Sequence, residues 1–543
     1  MFRHIPSVMP LASAILLLLN GVTHATPPLP KQPAPPLPEV DASDNHGLDA
    51  SPASARLGTR NATDGHACCT NCGCASSGEH GGCKACTCKE KKAASAKAVN
   101  AYKGVYYAND FSYLCDPCYG DCLLGDQLKR LAVGDCWTVD VGGEYRMRFH
   151  SEQNIRNSGA VVNNLGLTGN DDDFLLHRTR LFVNAEYGSH FRFYGEMLDA
   201  VSEFETNPVT RPIEENRADM QNLFAEVRGV EVGGGKLTAR IGRQEILLGN
   251  QRLVSPLDWA NTRRTFEGGR VIWQGDNWDL DGFWLRPMKR DAAHREKLDA
   301  PNLDRQMYGV YGTYKGLCRD HLEAYWLALD YEDVGPSGFR YDTLGARYWG
   351  EKCGWLYEFE GGVQFGTNSD NSDHSAEFIT AGIGRKYSDK KFKPTFWLWY
   401  DYASGDDTVG NSFHHYEPLV HKRLRFMDLF ARSTIHDLNL QAMASLSEKT
   451  QLLLWYHYFR LANGTDVPYN VDMRPFAGLP AGSTGSQDLG HEIDILVTHK
   501  ISPRSSVLVG YSHFFAGEYY DTTAGVPFNG NASFVYTQWH VNF

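Results

Sequence analysis

The residues best suited to chemistry in this 543-residue chain are arginines, cysteines and the carboxylates beside them. Arg146, Arg148, Arg178, Arg180, Arg192, Arg228, Arg240 and Arg270 fall on the charged faces of successive alternating segments. A guanidinium is planar, stays charged at any working pH and meets an anion through two parallel N–H donors. A ring of such groups in a narrow passage selects anions. Glu144, Glu186, Glu196 and Glu226 share the same faces. The arginines could therefore also brace a wall by pairing across neighbouring strands. Both readings stay open, with most arginines bracing and a minority near a constriction setting selectivity.

The cysteines are a second cluster. Cys68, Cys69, Cys72, Cys74, Cys83, Cys86 and Cys88 place seven thiols within 21 residues, as CCxxCxC and then CxxCxC. Thiolates at this density can hold zinc or another soft metal, with a metallothionein-like spacing. In an oxidising compartment the favoured expectation is a disulfide-stapled knob or crosslinks between chains. Cys115, Cys118 and Cys122 follow in CDPCYGDC, and an odd total of 13 leaves at least one cysteine unpaired or otherwise engaged. There is no CxxCH for haem attachment, and no cofactor is expected. GxSxG and HExxH are absent, His177, His414 and His415 are dispersed, and His436-Asp437 has no evident nucleophile partner. The expectation is a protein that is not an enzyme.

The elements that must carry the arginines are strands. In Val139–His150, Val141, Tyr145, Met147 and Phe149 alternate with Asp140, Glu144, Arg146 and Arg148. In Arg178–Tyr187, Leu181, Val183, Ala185 and Tyr187 alternate with Arg178, Arg180, Asn184 and Glu186. One oily and one charged face call for oil on one side and water on the other. Short turns near Gly188-Ser189, Val232–Gly235, Gly275–Asn277, Gly316–Arg319, Gly350–Cys353, Ser388–Lys390, Ser447–Lys449 and Ile501–Arg504 alternate with longer polar connections. The longer ones cover 150–173, 200–220, 249–265, 288–304, 332–339, 367–374, 404–435, 463–486 and 517–531. Such alternation is the habit of outer-membrane barrels, with tight periplasmic turns and long outer loops. The spacing predicts an all-β, transmembrane antiparallel barrel of eighteen strands over residues 136–543.

Targeting agrees. Arg3 and His4 precede an apolar run from Leu11 to Leu19 and a small-residue site at Thr23-His24-Ala25, which reads as a signal peptide over residues 1–25. Residues 26–55 read as a Pro-rich linker, and 56–135 as a disordered, Cys-rich periplasmic extension. A formal net charge of −12 argues against nucleic-acid partners. Val535, Thr537, Trp539, Val541 and Phe543 form one face of a last strand. It resembles the C-terminal signal read by the outer-membrane assembly machinery. The other partners expected are outer-membrane lipid and an anionic polysaccharide or small anions.

The stretch Arg240–Arg270 reads RIGRQEILLGNQRLVSPLDWANTRRTFEGGR. It resembles the signature region of the alginate-export family of outer-membrane porins, through Gly242-Arg243-Gln244, Arg252-Leu253-Val254, Trp259 to Arg263, and Phe266 to Arg270. The likeness extends over 136–543, with its motif-like part within about 170–290. It implies an eighteen-stranded barrel with an arginine-rich lumen, in a family whose namesake passes the polyanion alginate outward. The segment 249–265, with Arg252, Arg263 and Arg264, is the first candidate for a constriction folded into the lumen, pinned by Asp258 and Trp259. The segment 404–435, with His414, His415, Arg423 and Arg425, is the second. Arg243 and Glu267 fall on the lipid-facing parity, so a bulge or the strand rim must intervene there. Two alternatives remain: a general porin without polyanion specificity, and an envelope tether with the barrel as its anchor.

Overall fold

The segments that alternate apolar and charged residues form long antiparallel strands. The computed structural model describes residues 88–156, 170–206, 211–290, 297–332, 338–408, 410–423, 426–476, 485–523 and 530–543. The expected signal peptide, the Pro-rich linker, Cys68 to Cys86 and Arg425 lie outside the described residues.

Two strands are short accessories, β1 (Leu131–Val133) and β9 (Ala300–Pro301). Eighteen build the barrel. The first seven are β2 (Trp137–Arg156), β3 (Asn170–Tyr187), β4 (Phe191–Glu203), β5 (Asn216–Val232), β6 (Gly235–Gln244), β7 (Phe266–Gln274) and β8 (Trp278–Lys289). There follow β10 (Arg305–Tyr314), β11 (Asp320–Tyr331), β12 (Phe339–Lys352), β13 (Trp355–Thr367), β14 (Asp373–Lys386) and β15 (Thr395–Ala403). The last are β16 (Ile435–Ser445), β17 (Thr450–Leu461), β18 (Asp488–Ser502), β19 (Ser505–Ala516) and β20 (Ala532–Asn542). Each barrel strand pairs antiparallel with the next, β8 pairs with β10, and β20 returns to β2 with Asn542 opposite Glu144. Closure removes every open edge, as a membrane interior requires. The eight short turns and nine long connections expected from the sequence all fall between these strands.

Side chains sort by parity. Along β4, Arg192, Tyr194, Glu196, Leu198 and Ala200 are buried in the barrel, while Phe191, Phe193 and Met197 are about half exposed on its outside. Outward Tyr187, Phe191, Trp278, Trp355, Phe396 and Trp539 lie near the short-turn rim, the position of an aromatic girdle. Arg243 and Glu267 stand opposite each other in an unbroken β6–β7 register. The rim rather than a bulge accommodates Arg243, which donates to the carbonyls of Met220 (2.9 Å) and Asp299 (2.6 Å). Gly242, beside it, has φ +127°, and a Cβ there would sit 2.3 Å from the Leu223 carbonyl oxygen.

Part of the segment expected to be disordered is folded. Residues 88–135 hold a helix (Cys88–Val99), 3₁₀ turns at Tyr106–Ala108, Ser112–Cys115 and Asp126–Leu128, and β1, which pairs with the start of β2. Ala101, Tyr102, Val105, Tyr106, Tyr107 and Phe111 share one apolar cluster with the inward-facing Phe182, Tyr194 and Phe224. The chain thus enters the short-turn mouth of the barrel before it begins the first barrel strand. Its rings gain apolar burial against the inner wall.

Candidate functional site: the arginine-lined lumen

All eight strand arginines singled out by parity are buried on the inner wall. Arg146, Arg148, Arg178 and Arg180 are among the largest fully buried side chains of the protein. Arg192 and Arg228 lie nearest the short turns, Arg240 and Arg270 next, and Arg180, Arg178, Arg146 and Arg148 deeper in the barrel. Each is positioned by strand alternation and then held by partners from neighbouring strands or from segments folded into the lumen.

Carboxylates meet most of them. Arg178 pairs with Glu144, and with Asp258 at 2.9 Å. Arg180 reaches Glu196 at 2.6 Å and Glu245 at 3.5 Å. Glu226 receives Arg192 at 3.3 Å and Arg240 at 2.6 Å, Arg228 meets Glu186 at 3.0 Å, and Arg270 is bidentate on Asp281. Arg146 is held differently. Its guanidinium donates to the carbonyls of Asp258 (2.8 Å) and Ala260 (3.0 Å), while its Nε, buried, has no hydrogen-bond partner among the described residues. Arg148 donates to Gln538 (2.8 Å) and lies 3.6 Å from the centre of the Trp259 ring.

The expected constriction segment does fold inward. Asn261 donates to the carbonyls of His177, Val201 and Glu214, which ties residues 245–265 to the wall. Arg252 pairs with Glu358 and with Glu360 (2.6 Å). Arg263 pairs with Glu245 and Asp258, and Arg264 with Glu417 at 2.7 Å. The second segment, 404–434, meets the first through a parallel bridge of Val254 and Glu417. Trp259 stacks on His421 at 3.4 Å between ring centres. His414 is buried, which holds its imidazole down to about 3, and His415 is lowered for the same reason, so both are neutral. Phe413, Tyr416, Phe426 and Phe430 carry the apolar side of this segment into a core with Leu327, Phe378, Phe459 and Phe514 from the wall.

Between these segments and the chain entering from the short-turn mouth, a cavity of about 20 Å³ remains, enough for one water. Tyr102, Gly104, Glu144, Arg146, Arg178 and Arg263 are among the residues lining it.

A family model described as "Alginate export" matches residues 138–532. The chain belongs to the alginate-export family. With the closed eighteen-stranded barrel, this makes it a porin-like channel protein of the bacterial outer membrane. No curated protein matches its sequence. Among solved structures it is similar to OccD3 (OpdP) of Pseudomonas aeruginosa, at 12% identity and a TM-score of 0.49, over 74% of this chain and 91% of that one. OccK2 (OpdF) of the same organism, in complex with glucuronate, aligns at 13% identity and a TM-score of 0.48, over 74% and 98%.

This alginate-export barrel also uses lumenal groups that the sequence reading did not single out. Arg347 joins Glu323 (3.1 Å) to Glu358 (3.0 Å), and Arg432 meets Asp401 at 3.0 Å. Arg504 donates to Ala98 O (2.8 Å) and Tyr113 OH (2.7 Å) and pairs with Asp126. The parity that marked the early strands would have found Arg347, but Arg432 and Arg504 sit in connections, where parity gives no signal. Cys318 and Cys353, on neighbouring turns, are exposed and form no disulfide among the described residues, and Cys115 and Cys118 are each disulfide-bonded. Cys88 opens the helix Cys88–Val99.

Proposed function

We propose that the barrel passes an anionic solute, a uronate-type polysaccharide such as alginate, across the outer membrane along the arginines of β2 to β8. What supports this reading above all is like charge set against like charge. Arg146 stands directly opposite Arg178, and Arg240 directly opposite Arg270. Like charges so placed across strands cost stability, and a wall that only needed bracing would alternate signs. A polymer with one carboxylate per sugar could then pass from guanidinium to guanidinium, each contact being weak alone. The short-turn end is read as periplasmic and the long connections as extracellular. Residues 1–25 are read as a signal peptide, residues 26–135 as lying on the periplasmic side, and the Phe543 end as the signal for barrel assembly.

A second reading, a general porin with a braced wall, draws on the ion pairs themselves, of which the bidentate Arg270–Asp281 contact is the plainest. Single-channel recording in planar bilayers separates the two. The polyanion reading expects anion selectivity and a current that responds to oligouronates, both weakened in Arg146→Ala. A pore without ion preference and indifferent to oligouronates would leave only the general porin.

A further inference from the structure

We infer that residues 98–129 are a displaceable plug, seated on the arginine face of the lumen, and that carboxylate polymers unseat it by competing for the same guanidinium groups. The inference rests on the polyanion reading and adds a gate to it.

The plug lies where the cargo would have to pass. Arg192 donates to Tyr107 O at 2.6 Å, and Arg263 to Gly104 O at 2.7 Å. The Tyr106 ring covers Arg180 at 3.8 Å, the Tyr107 ring covers Arg240 at 4.1 Å, and Tyr107 OH lies 3.4 Å from Arg270. On the other side Tyr102 OH donates to Phe543 O at 2.7 Å, and Arg504 holds Ala98 O and Tyr113 OH. The segment therefore spans the arc of wall from the β18–β19 turn through β20 and β2 to β7. Four of the strand arginines, Arg180, Arg192, Arg240 and Arg270, touch it or lie under its rings.

The bonding is of a kind that a carboxylate can replace. Residues 98–114 contain one Lys and one Asp and are otherwise uncharged. They offer the arginines backbone carbonyls and ring faces. Asp126 with Arg504, at 3.2 Å, is the single carboxylate–guanidinium pair between plug and barrel among the described residues. A carboxylate meets a guanidinium with a full opposite charge and two parallel bonds, where a backbone carbonyl offers a dipole and a single acceptor. Each uronate that reaches the ladder thus exchanges a weaker occupant for a stronger one. Release need not be loss, because the β1–β2 hairpin keeps the plug joined to the rim. A tethered plug returns from a high effective concentration when the polymer has left.

The close approach at one end of the seat supplies a handle. Gly125 has φ +83°, and a Cβ there would sit 2.2 Å from the backbone carbon of Phe543, so any side chain must push the plug off its seat.

The test uses the full-length chain in detergent or bilayers, with amide hydrogen exchange over 98–129 and single-channel current read in parallel. The expected result is slow exchange and a low open probability in the resting protein. Adding a short oligouronate raises both severalfold, and a neutral oligosaccharide of equal length raises neither. Tyr107→Ala and Gly125→Val should open the pore without any polymer. Should either variant fail to assemble, the exchange measurement on the unaltered chain still decides. Current flowing while 98–129 stays protected would overturn the plug, as would equal release by the neutral sugar. Pores opened by these variants yet lacking anion preference would support the plug and sink the polyanion reading. Anion-selective current through a protected plug would do the reverse.

Discussion

Two bodies fill the lumen from opposite ends, and they are held by different chemistry. From the long-connection end, 245–265 and 404–434 are fixed by buried ion pairs such as Arg252 with Glu358 and Glu360, and by an apolar core around Phe430. From the short-turn end, 98–129 is fixed by carbonyls, phenols and ring faces laid over arginines. Removing half of a buried ion pair strands a charge, whereas removing a neutral contact lets water or a solute take its place. The first body therefore behaves as part of the wall and the second as an occupant. A channel that must seal when idle and open for a polymer needs this asymmetry.

The sharpest way to break the comparison is to strand a charge under the inward segments. In Arg252→Ala, Glu358 and Glu360 lose the guanidinium they share, although Arg347 still reaches Glu358. The expected loss is about 3–5 kcal/mol, read from urea unfolding of the folded barrel in detergent. A loss below about 1 kcal/mol would mean that these segments are held no more firmly than a surface contact.

Tyr107→Ala applies the same blow to the plug. It removes the ring over Arg240, the hydroxyl beside Arg270 and a 2.8 Å bond to Glu245 O. Because the plug is an occupant, its opening should be local, raising exchange over 98–129 while barrel unfolding shifts by less than about 1 kcal/mol. Parallel loss of both protections would make the plug a structural part of the barrel and erase the contrast.

How much of this was legible beforehand follows the same division. The strands were readable because period-two alternation is a local property, and each short turn carries its own Gly, Asn or Ser signal. The inward arginines were readable for the same reason, since parity alone fixes which face Arg178 or Arg270 takes. Parity also marked Glu144, Glu186, Glu196 and Glu226, which meet Arg178, Arg228, Arg180 and Arg192, but the other partners were not readable. Asp258, Glu245 and Gln538 approach from other strands or from inward segments, and no spacing in the sequence encodes that meeting. The plug was least legible of all. AYKGVYYANDF has neither strand nor helix period, and it folds because Phe182, Tyr194 and Phe224 offer it a lumenal wall.

Salt offers a smaller, graded effect. The seated plug meets the arginines mainly through buried, uncharged groups, so its resting protection should hardly change with ionic strength. Displacement by an oligouronate is a charge effect in an open mouth, where raising salt from about 0.1 M to 1 M shortens the screening length from about 10 Å to 3 Å. The oligouronate concentration needed for half release should rise accordingly. A resting plug that loosens with salt while oligouronate potency stays fixed would reverse the assignment of neutral and ionic contacts.

The pH dependence is graded as well, and its sign follows from Lys129. This ammonium donates to Gly125 O (3.1 Å) and Val141 O (2.6 Å) and faces Asp126, Asp140 and Arg504. Burial dominates and lowers its pKa from 10.5 to about 8 in the seated plug. Released into water it returns to the ordinary value. At neutral pH both states are protonated, and seating carries the full cost of burying the charge. Between about pH 8 and 10 the released state binds more protons than the seated one, so raising pH favours seating. Burial also pushes the Tyr102 and Tyr113 phenols up, so above about pH 10 they ionise more readily when released, and the trend turns over. Open probability should thus fall from pH 7 to about pH 10 and rise beyond it. In Lys129→Met the fall should vanish while the rise remains. A fall that survives this substitution would place the titrating group elsewhere in the seat.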